Sequence, residues 1–223
     1  IIDPVDDVRI SNPASNPELL SSLADRFTEY NYDFKRLVRD ICTSRTYQLS
    51  TKVNSSNEGD SKNFSHAISR RMRAEVLLDA ISQITQTKNK FKGLPVGARA
   101  VQIADGNVSN YFLRTFGRAE RKTVCSCEVK MEPNLGQALH LINGDVTGNR
   151  ILSGKVVATM ITEGKSSEQI IDSLYIRAFG RRPTQTEKSQ LLTQIGTDPK
   201  MVKQDLEDVF WALLNAKEFM FNH

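Results

Sequence analysis

Cys125 and Cys127 carry the most reactive chemistry in the sequence, and they follow a dense run of positive charge, residues 118–122. Nearby cations lower the pKa of a thiol and favour the thiolate, which is both the nucleophile and the metal ligand. Three interpretations are therefore open. The two thiols form a disulfide, with each other or one of them with Cys42; they bind a metal ion; or one of them is a reactive thiolate.

A metal ion would need ligands beyond the two cysteines. His140 and His66 are the candidates, although Cys-x-Cys is a poorer zinc signal than Cys-x-x-Cys. The third cysteine, Cys42, stands on a helical stripe of apolar residues. We expect it to be a buried, inert thiol.

His140 lies at the flank of the apolar face of a helix predicted over 135–143. The pattern favours a structural histidine, bonded to backbone or carboxylate, over a catalytic one. Paired carboxylates for glycoside hydrolysis could come from Glu128, Glu132, Asp105 and Asp145. The sequence contains no nucleophile elbow, phosphate-binding loop, dinucleotide fingerprint or zinc-protease motif.

An acidic segment, Asp3–Arg9, opens the chain. Its spacing lacks the glycine and the alternation of a calcium-binding EF-hand loop. We expect Asp6 or Asp7 instead to pair with an arginine, either Arg118 or one from 70–73. The candidates for catalysis over the whole chain are Asp6, Asp7, Arg9, Arg118, Glu128 and His140.

Sequence signals for helices recur along the chain, and the predicted helices position the candidate residues. N-cap residues at Asn16 and Asp33 open two helices joined by a short connection. Capping boxes, Ser166 with Gln169 and Thr184 with Glu187, open two more. Hydrophobic periodicity predicts further helices over 66–87, 135–143, 151–162 and 201–216.

The stretch 91–110 differs, because glycines and prolines punctuate it and Val101–Ile103 could be extended. The predicted fold is mainly α: a multi-helix bundle with an irregular, in part short-stranded, insertion near 91–130. We predict one helical domain over 1–223, with a subdivision into 1–143 and 144–223 as the alternative.

Composition excludes several classes of protein. The chain has 223 residues, 39% of them hydrophobic, and no apolar run approaches the length of a membrane span. A net charge of +4 and an aromatic content of 7% argue against a nucleic-acid-binding face. The chain begins with Ile1 rather than Met, so we expect it to be part of something longer.

Blocks of sequence from end to end resemble one family, an uncharacterised domain abundant in planctomycetes. The matching blocks are Asp3–Arg9, Asn12–Pro13, Asn16–Leu20, Ser44–Gln48, Arg70–Glu75, Phe116–Arg118, Cys125–Glu128, Gln137–Gly144, Trp211–Asn215 and Glu218–His223. One departure is Val129, where the family pattern often has arginine. A second similarity, at 174–184, is to a Leu-Tyr…Gly-Arg-x-Pro segment of small helical modules in exported bacterial proteins. This similarity concerns the end of one helix and the start of the next, and it does not indicate a functional site.

The resemblance implies a setting rather than a reaction. It implies a C-terminal segment of a large exported protein, at the periplasm or cell surface, whose partners are its own upstream domains and a c-type cytochrome module. This chain lacks Cys-x-x-Cys-His, so we expect no haem and no other cofactor in it.

Two functions follow from this setting. One is a non-catalytic binding or scaffold module of that exported, cytochrome-linked protein. The alternative is an enzyme, acting for example on polysaccharide-derived substrates, with its site between the Asp3–Arg9 segment and the Cys125–Cys127 loop. In the oxidising compartment, Cys125 and Cys127 are predicted to be paired with each other.

Overall fold

The computed structural model describes residues 1–5, 7–106, 109–123, 129, 130, 132, 134–143, 146–196 and 198–222. Helix makes up 52% of the residues that the structure describes, which confirms the predicted mainly α fold. The only sheet in the described part has two strands, β1 (Arg70–Arg71) and β2 (Phe221–Asn222). None of the described helices has the length and apolar character that a membrane span requires.

Backbone contacts divide the chain into two compact units, one over residues 1–70 and the other over residues 71–222. The prediction of a single domain and the alternative subdivision at 143 both stay predictions.

The first unit is built on a hairpin of two helices, α1 (Pro17–Glu29) and α2 (Phe34–Thr43). Both begin at the predicted caps: Asn16 accepts a hydrogen bond from the Leu19 amide and Asp33 accepts one from the Arg36 amide, each at 3.1 Å. These caps satisfy amides that the first turn of a helix leaves without partners.

No described residue of the first unit is buried. The apolar stripes of its helices are covered only in part, and Phe34 at the start of α2 is 67% exposed. Cys42 is an exposed, free thiol. The prediction of a buried Cys42 is therefore wrong, because two helices share a single seam and this thiol lies outside it.

The second unit contains the remaining helices and a short 3-10 helix. They are α3 (Ala74–Ile84), the 3-10 helix (Ala100–Gln102), α4 (Tyr111–Thr115), α5 (Leu135–Asn143), α6 (Gly148–Gly154), α7 (Val156–Thr162), α8 (Ser167–Phe179), α9 (Gln185–Gln194), α10 (Pro199–Asn215) and α11 (Lys217–Met220).

The core of the second unit lies between α8 and α10, with α3, α4, α6 and α7 packed around it. Ile171 and Leu174 of α8 and Phe210 and Leu214 of α10 are completely buried. These positions belong to the stripes that hydrophobic periodicity marks in the sequence. The capping boxes at Ser166 and Thr184 are also present as predicted.

Two predicted elements in the second unit are wrong. The helix predicted from 66 begins only at Ala74, because Arg71 belongs to β1 and Met72 donates its amide to the Met220 carbonyl at 2.9 Å. The extended piece predicted at Val101 is part of the 3-10 helix, whose free amides are held by Asp79.

A third difference is a break in the helix predicted over 151–162. The chain forms α6 and α7 instead, separated by Lys155 in the left-handed conformation, φ 53°. Gly154, the last residue of α6, lies so close to the Thr85 carbonyl oxygen that a Cβ would collide with it. The break follows from that packing, which local periodicity does not encode.

Candidate functional site

The candidate site lies on the second unit, around α4 and the loop that follows it. Asn110 caps α4 by accepting a hydrogen bond from the Leu113 amide at 3.0 Å. Phe112 and Leu113 are then buried in the core, while Arg114 remains exposed on the outer side. The short helix is thus anchored by its apolar side and presents a guanidinium group to solvent.

The side chain of Arg118 is buried and lies at the base of the site. Its guanidinium donates hydrogen bonds to the carbonyls of Ile103, at 3.3 Å, and Asp105, at 3.0 Å. Its Nε lies 3.5 Å from Oε1 of Glu75 on α3, and this carboxylate balances the charge of the guanidinium. A buried guanidinium needs such partners, because desolvation of an uncompensated charge costs several kcal/mol.

A second arginine binds the segment 103–105 from the solvent side. Arg121 donates to the Ala104 carbonyl at 2.7 Å, so 103–105 is bound by two guanidinium groups. Gly106 lies against the Glu120 carbonyl oxygen, where no Cβ would fit. The segment therefore has a fixed path over the loop 118–121.

These contacts leave a cleft of about 280 Å³ beside α4. It is lined by Gly106, Ser109, Asn110, Leu113, Arg114, Arg118, Ala119, Glu120 and Lys122. Glu120 and Lys122 form an ion pair at its rim. Three cations and one carboxylate thus line the cleft.

Arg71 supports the cleft region from the other end of α4. It is 6% exposed and donates to the carbonyls of Phe116, at 2.9 Å, and Lys130, at 3.1 Å. Burial lowers the pKa of Arg71. The hydrogen bonds of Arg71 thus go to backbone carbonyls, one of them at the end of α4 and the other in irregular backbone.

His140 lies against aromatic rings on α5. Its ring is 5.0 Å from that of Tyr111, 5.5 Å from that of Phe112 and 6.1 Å from that of Phe116. The predicted structural role of His140, with a bond to backbone or carboxylate, stays a prediction.

Over residues 135–140, where the structure describes burial on α5, two apolar side chains are exposed and a polar one is buried. Leu135 and Leu139 are 74% and 48% exposed, whereas Gln137 is buried. The Gln137 amide group donates to the carbonyls of Thr115 and Glu132. Gln137 is therefore buried through hydrogen bonds to loop carbonyls, which a hydropathy pattern does not register.

The N-terminal candidates lie in the first unit. Asp7 pairs with Arg9, with Oδ1 2.7 Å from Nε; the Arg9 side chain is exposed and that of Asp7 is half-buried. Each charge thus has a partner within its own unit, as Arg118 does with Glu75 in the second. The other candidate residues, Asp6, Cys125, Cys127, Glu128 and Asp145, lie outside the described residues.

The carboxylates Asp105 and Glu132 contribute their backbone carbonyls to the site. Both residues are exposed, and their carbonyls accept from Arg118 and Gln137. Among the described residues no three His, Cys, Asp or Glu side chains form a group that could hold a metal ion.

A buried polar network on α3 and α6 was missed in the sequence. Asp79 accepts from the amides of Ala100, at 2.6 Å, and Val101, at 3.3 Å. Arg150 donates to Ser82 at 2.6 Å and Asn89 at 2.7 Å, and burial lowers its pKa while Asp79 opposes that shift. One signal in the sequence could have indicated this network. Asp79 directly follows Leu77 and Leu78 in an apolar stretch, and an acid at a buried position needs hydrogen-bond partners.

Comparison with known proteins places the chain in a family. A sequence model described as PSD1, protein of unknown function (DUF1553), matches residues 1–195. No curated protein and no solved structure is similar to the chain at a significant level. Because the family match covers most of the 223 residues, the chain belongs to the PSD1 family of proteins of unknown function.

Proposed function

We propose that this chain is a non-catalytic binding or scaffold module of an exported, cytochrome-linked multidomain protein. The family membership is compatible with this role, and the family resemblance in the sequence supplies the setting. Its partners would be the upstream domains of the same polypeptide, including a c-type cytochrome module.

The observation that supports the proposal is the state of the buried arginines. Arg71 and Arg118 donate to five backbone carbonyls between them, and Arg118 also faces Glu75. Electrostatic catalysis needs donors that are aimed at the reacting group of a substrate. The guanidinium groups of Arg71 and Arg118 instead bind backbone carbonyls and stabilise the loops.

The described lining of the cleft also lacks a catalytic pair. Glu120 is its single carboxylate, and it pairs with Lys122. Neither histidine nor cysteine occurs among those described lining residues. General acid–base chemistry needs a titratable donor and acceptor that converge on one point.

Cross-linking of the full-length protein tests the proposal. We expect a lysine-reactive reagent to join lysines of this chain, for example Lys88, Lys90 and Lys92, to the upstream domains, and these links to vanish when the protein is denatured first. Turnover of a polysaccharide-derived substrate that Arg9→Gln abolishes without unfolding the protein would contradict it and favour the enzyme.

The exported setting is tested separately through the thiols. We predict a Cys125–Cys127 disulfide, with Cys42 free as it is in the structure. Protein exported by its own host should then show one titratable thiol in denaturant without reductant, and three after reduction. Three thiols in both samples would reject the pair.

A further inference from the structure

The charges that line the cleft do not balance. The charge of Arg118 is met by Glu75, and that of Lys122 is met by Glu120. Arg114 lines the same cleft, and among the described residues no ion pair or side-chain hydrogen bond involves its guanidinium. One positive charge at the cleft is therefore uncompensated, and its five N–H donors face solvent or a ligand.

The cleft is also preorganised. Arg118 and Arg121 hold the segment 103–105 through its carbonyls, so neither has to move when a ligand enters. Arg114 stands on a helix whose cap and buried side fix its position. A fixed binding surface loses less conformational entropy on binding, which raises affinity.

Size and donors restrict the ligand. At about 280 Å³ the cleft accepts a small molecule or one end of a larger one. Ser109, an exposed hydroxyl in the lining, and Lys122 lie with Arg114 around it. A guanidinium binds planar or tetrahedral oxyanions through two parallel hydrogen bonds. A neutral ligand would not compensate the positive charge of the guanidinium.

We propose that this cleft binds the oxyanion group of a small ligand, a carboxylate, sulfate or phosphate, through Arg114. The inference rests on the proposed binding role and names the ligand class for it. Arg114 is the binding residue, Arg118 and Arg121 position the cleft, and Glu120 weakens binding by its negative charge.

Calorimetric titration of the 223-residue chain with four probes tests the proposal. The probes are glucuronate, inorganic sulfate, inorganic phosphate and glucose, which matches glucuronate except for the carboxylate. We expect saturable binding of at least one of the three anions and much weaker binding of glucose. Preference for glucuronate indicates a carboxylate ligand, and preference for an inorganic anion indicates a sulfate or phosphate group.

Three variants locate the binding. Arg114→Gln should weaken the preferred anion about tenfold, since it removes a charge-assisted pair. Arg177→Gln, an exposed arginine on α8, is the matched control and should leave affinity unchanged. Glu120→Gln should tighten binding about threefold, because it removes the only carboxylate in the described lining.

The amide resonances of Ser109, Asn110 and Arg114 should shift on titration, while those of α8 should not. The proposal is overturned if no anion binds saturably, if glucose binds as well as glucuronate, or if the two arginine variants lose affinity equally. Cross-links to upstream domains would survive each of these failures, so the ligand assignment can fail without the scaffold role.

Discussion

At the scale of single residues, buried guanidinium groups hold the described loops of the second unit. Arg71 and Arg118 are less than a tenth exposed, and both donate to carbonyls that lie at helix ends or in irregular backbone. Such carbonyls have no partner within a helix. Each arginine therefore replaces several hydrogen bonds that regular structure would otherwise make.

Arg118→Met should lower the free energy of unfolding by about 3 kcal/mol, because two carbonyls and Glu75 lose their partner. Methionine fills a similar volume, so packing changes little. Urea denaturation measures the effect, with exposed Arg177→Met as the control at within ~0.5 kcal/mol. A loss below ~1 kcal/mol for Arg118→Met would mean that the buried contacts contribute little.

Glu187 predicts a dependence of stability on pH. Hydrogen bonds from Arg181, at 2.9 and 3.0 Å, lower the pKa of Glu187 to about 2, and bonds from Thr184 add to this. A carboxyl whose pKa is lower in the folded state stabilises the protein above its ordinary pKa. That stabilisation is lost as the pH falls from about 4.5 to about 2.

Glu187→Gln keeps a residue suited to the capping box and removes the charge. At pH 7 it should cost about 1 kcal/mol, a value reduced for the partial exposure of the pair. The difference from the wild type should shrink between pH 5 and pH 2. Glu163→Gln, from an exposed pair with Lys165, is the control, and a difference that stays constant with pH would exclude the charge effect.

At the scale of elements, one close contact decides where α6 ends and how it meets α3. Gly154 lies on the Thr85 carbonyl oxygen, and the chain then turns through Lys155 in the left-handed region. The polar network of Arg150 with Ser82 and Asn89 joins the same two helices. Packing and hydrogen bonds thus fix this junction together.

Gly154→Ala should destabilise the protein by about 2 kcal/mol, because the new methyl group has to push α6 away from α3. Gly148→Ala in the same helix is the matched control, since its Cβ would meet no atom within 4 Å. That control should be neutral or stabilising by up to ~1 kcal/mol through helix propensity. Equal effects in urea denaturation would contradict the contact.

At the scale of the whole molecule, the two units differ in burial. All the buried residues of the described chain lie in the second unit, and none lies in the first. Burial of apolar area is the main stabilising term in folding. The second unit therefore has the properties of an independently stable core, and the first does not.

Hydrogen exchange on the intact chain should reflect this difference. Amides of α8 and α10 should exchange only through global unfolding, while those of α1 and α2 should exchange through local opening at least about a hundredfold faster. Mass spectrometry of peptides after timed exchange measures both in one sample. Equal protection of α1 and α8 would show that the first unit has a core of comparable stability.

The sequence by itself determined the features that depend on neighbours along the chain. Caps at Asn16, Asp33, Ser166 and Thr184 and the buried stripes of α8 and α10 were all predicted, because a cap or a 3.6-residue period is local. The mainly α class follows from the same signals. The resemblance to the family likewise depends only on sequence.

Only the tertiary structure decided which polar side chains are buried and what they contact. Arg71 and Arg118 donate to the carbonyls of Phe116, Lys130, Ile103 and Asp105, which are distant in the sequence, so no local pattern marks these contacts. The break at Lys155 and the exposure of Cys42 have the same origin, since each depends on where another segment packs or fails to pack. The cleft beside Arg114 exists because 103–106 is fastened across the loop 118–121, and that contact is long-range.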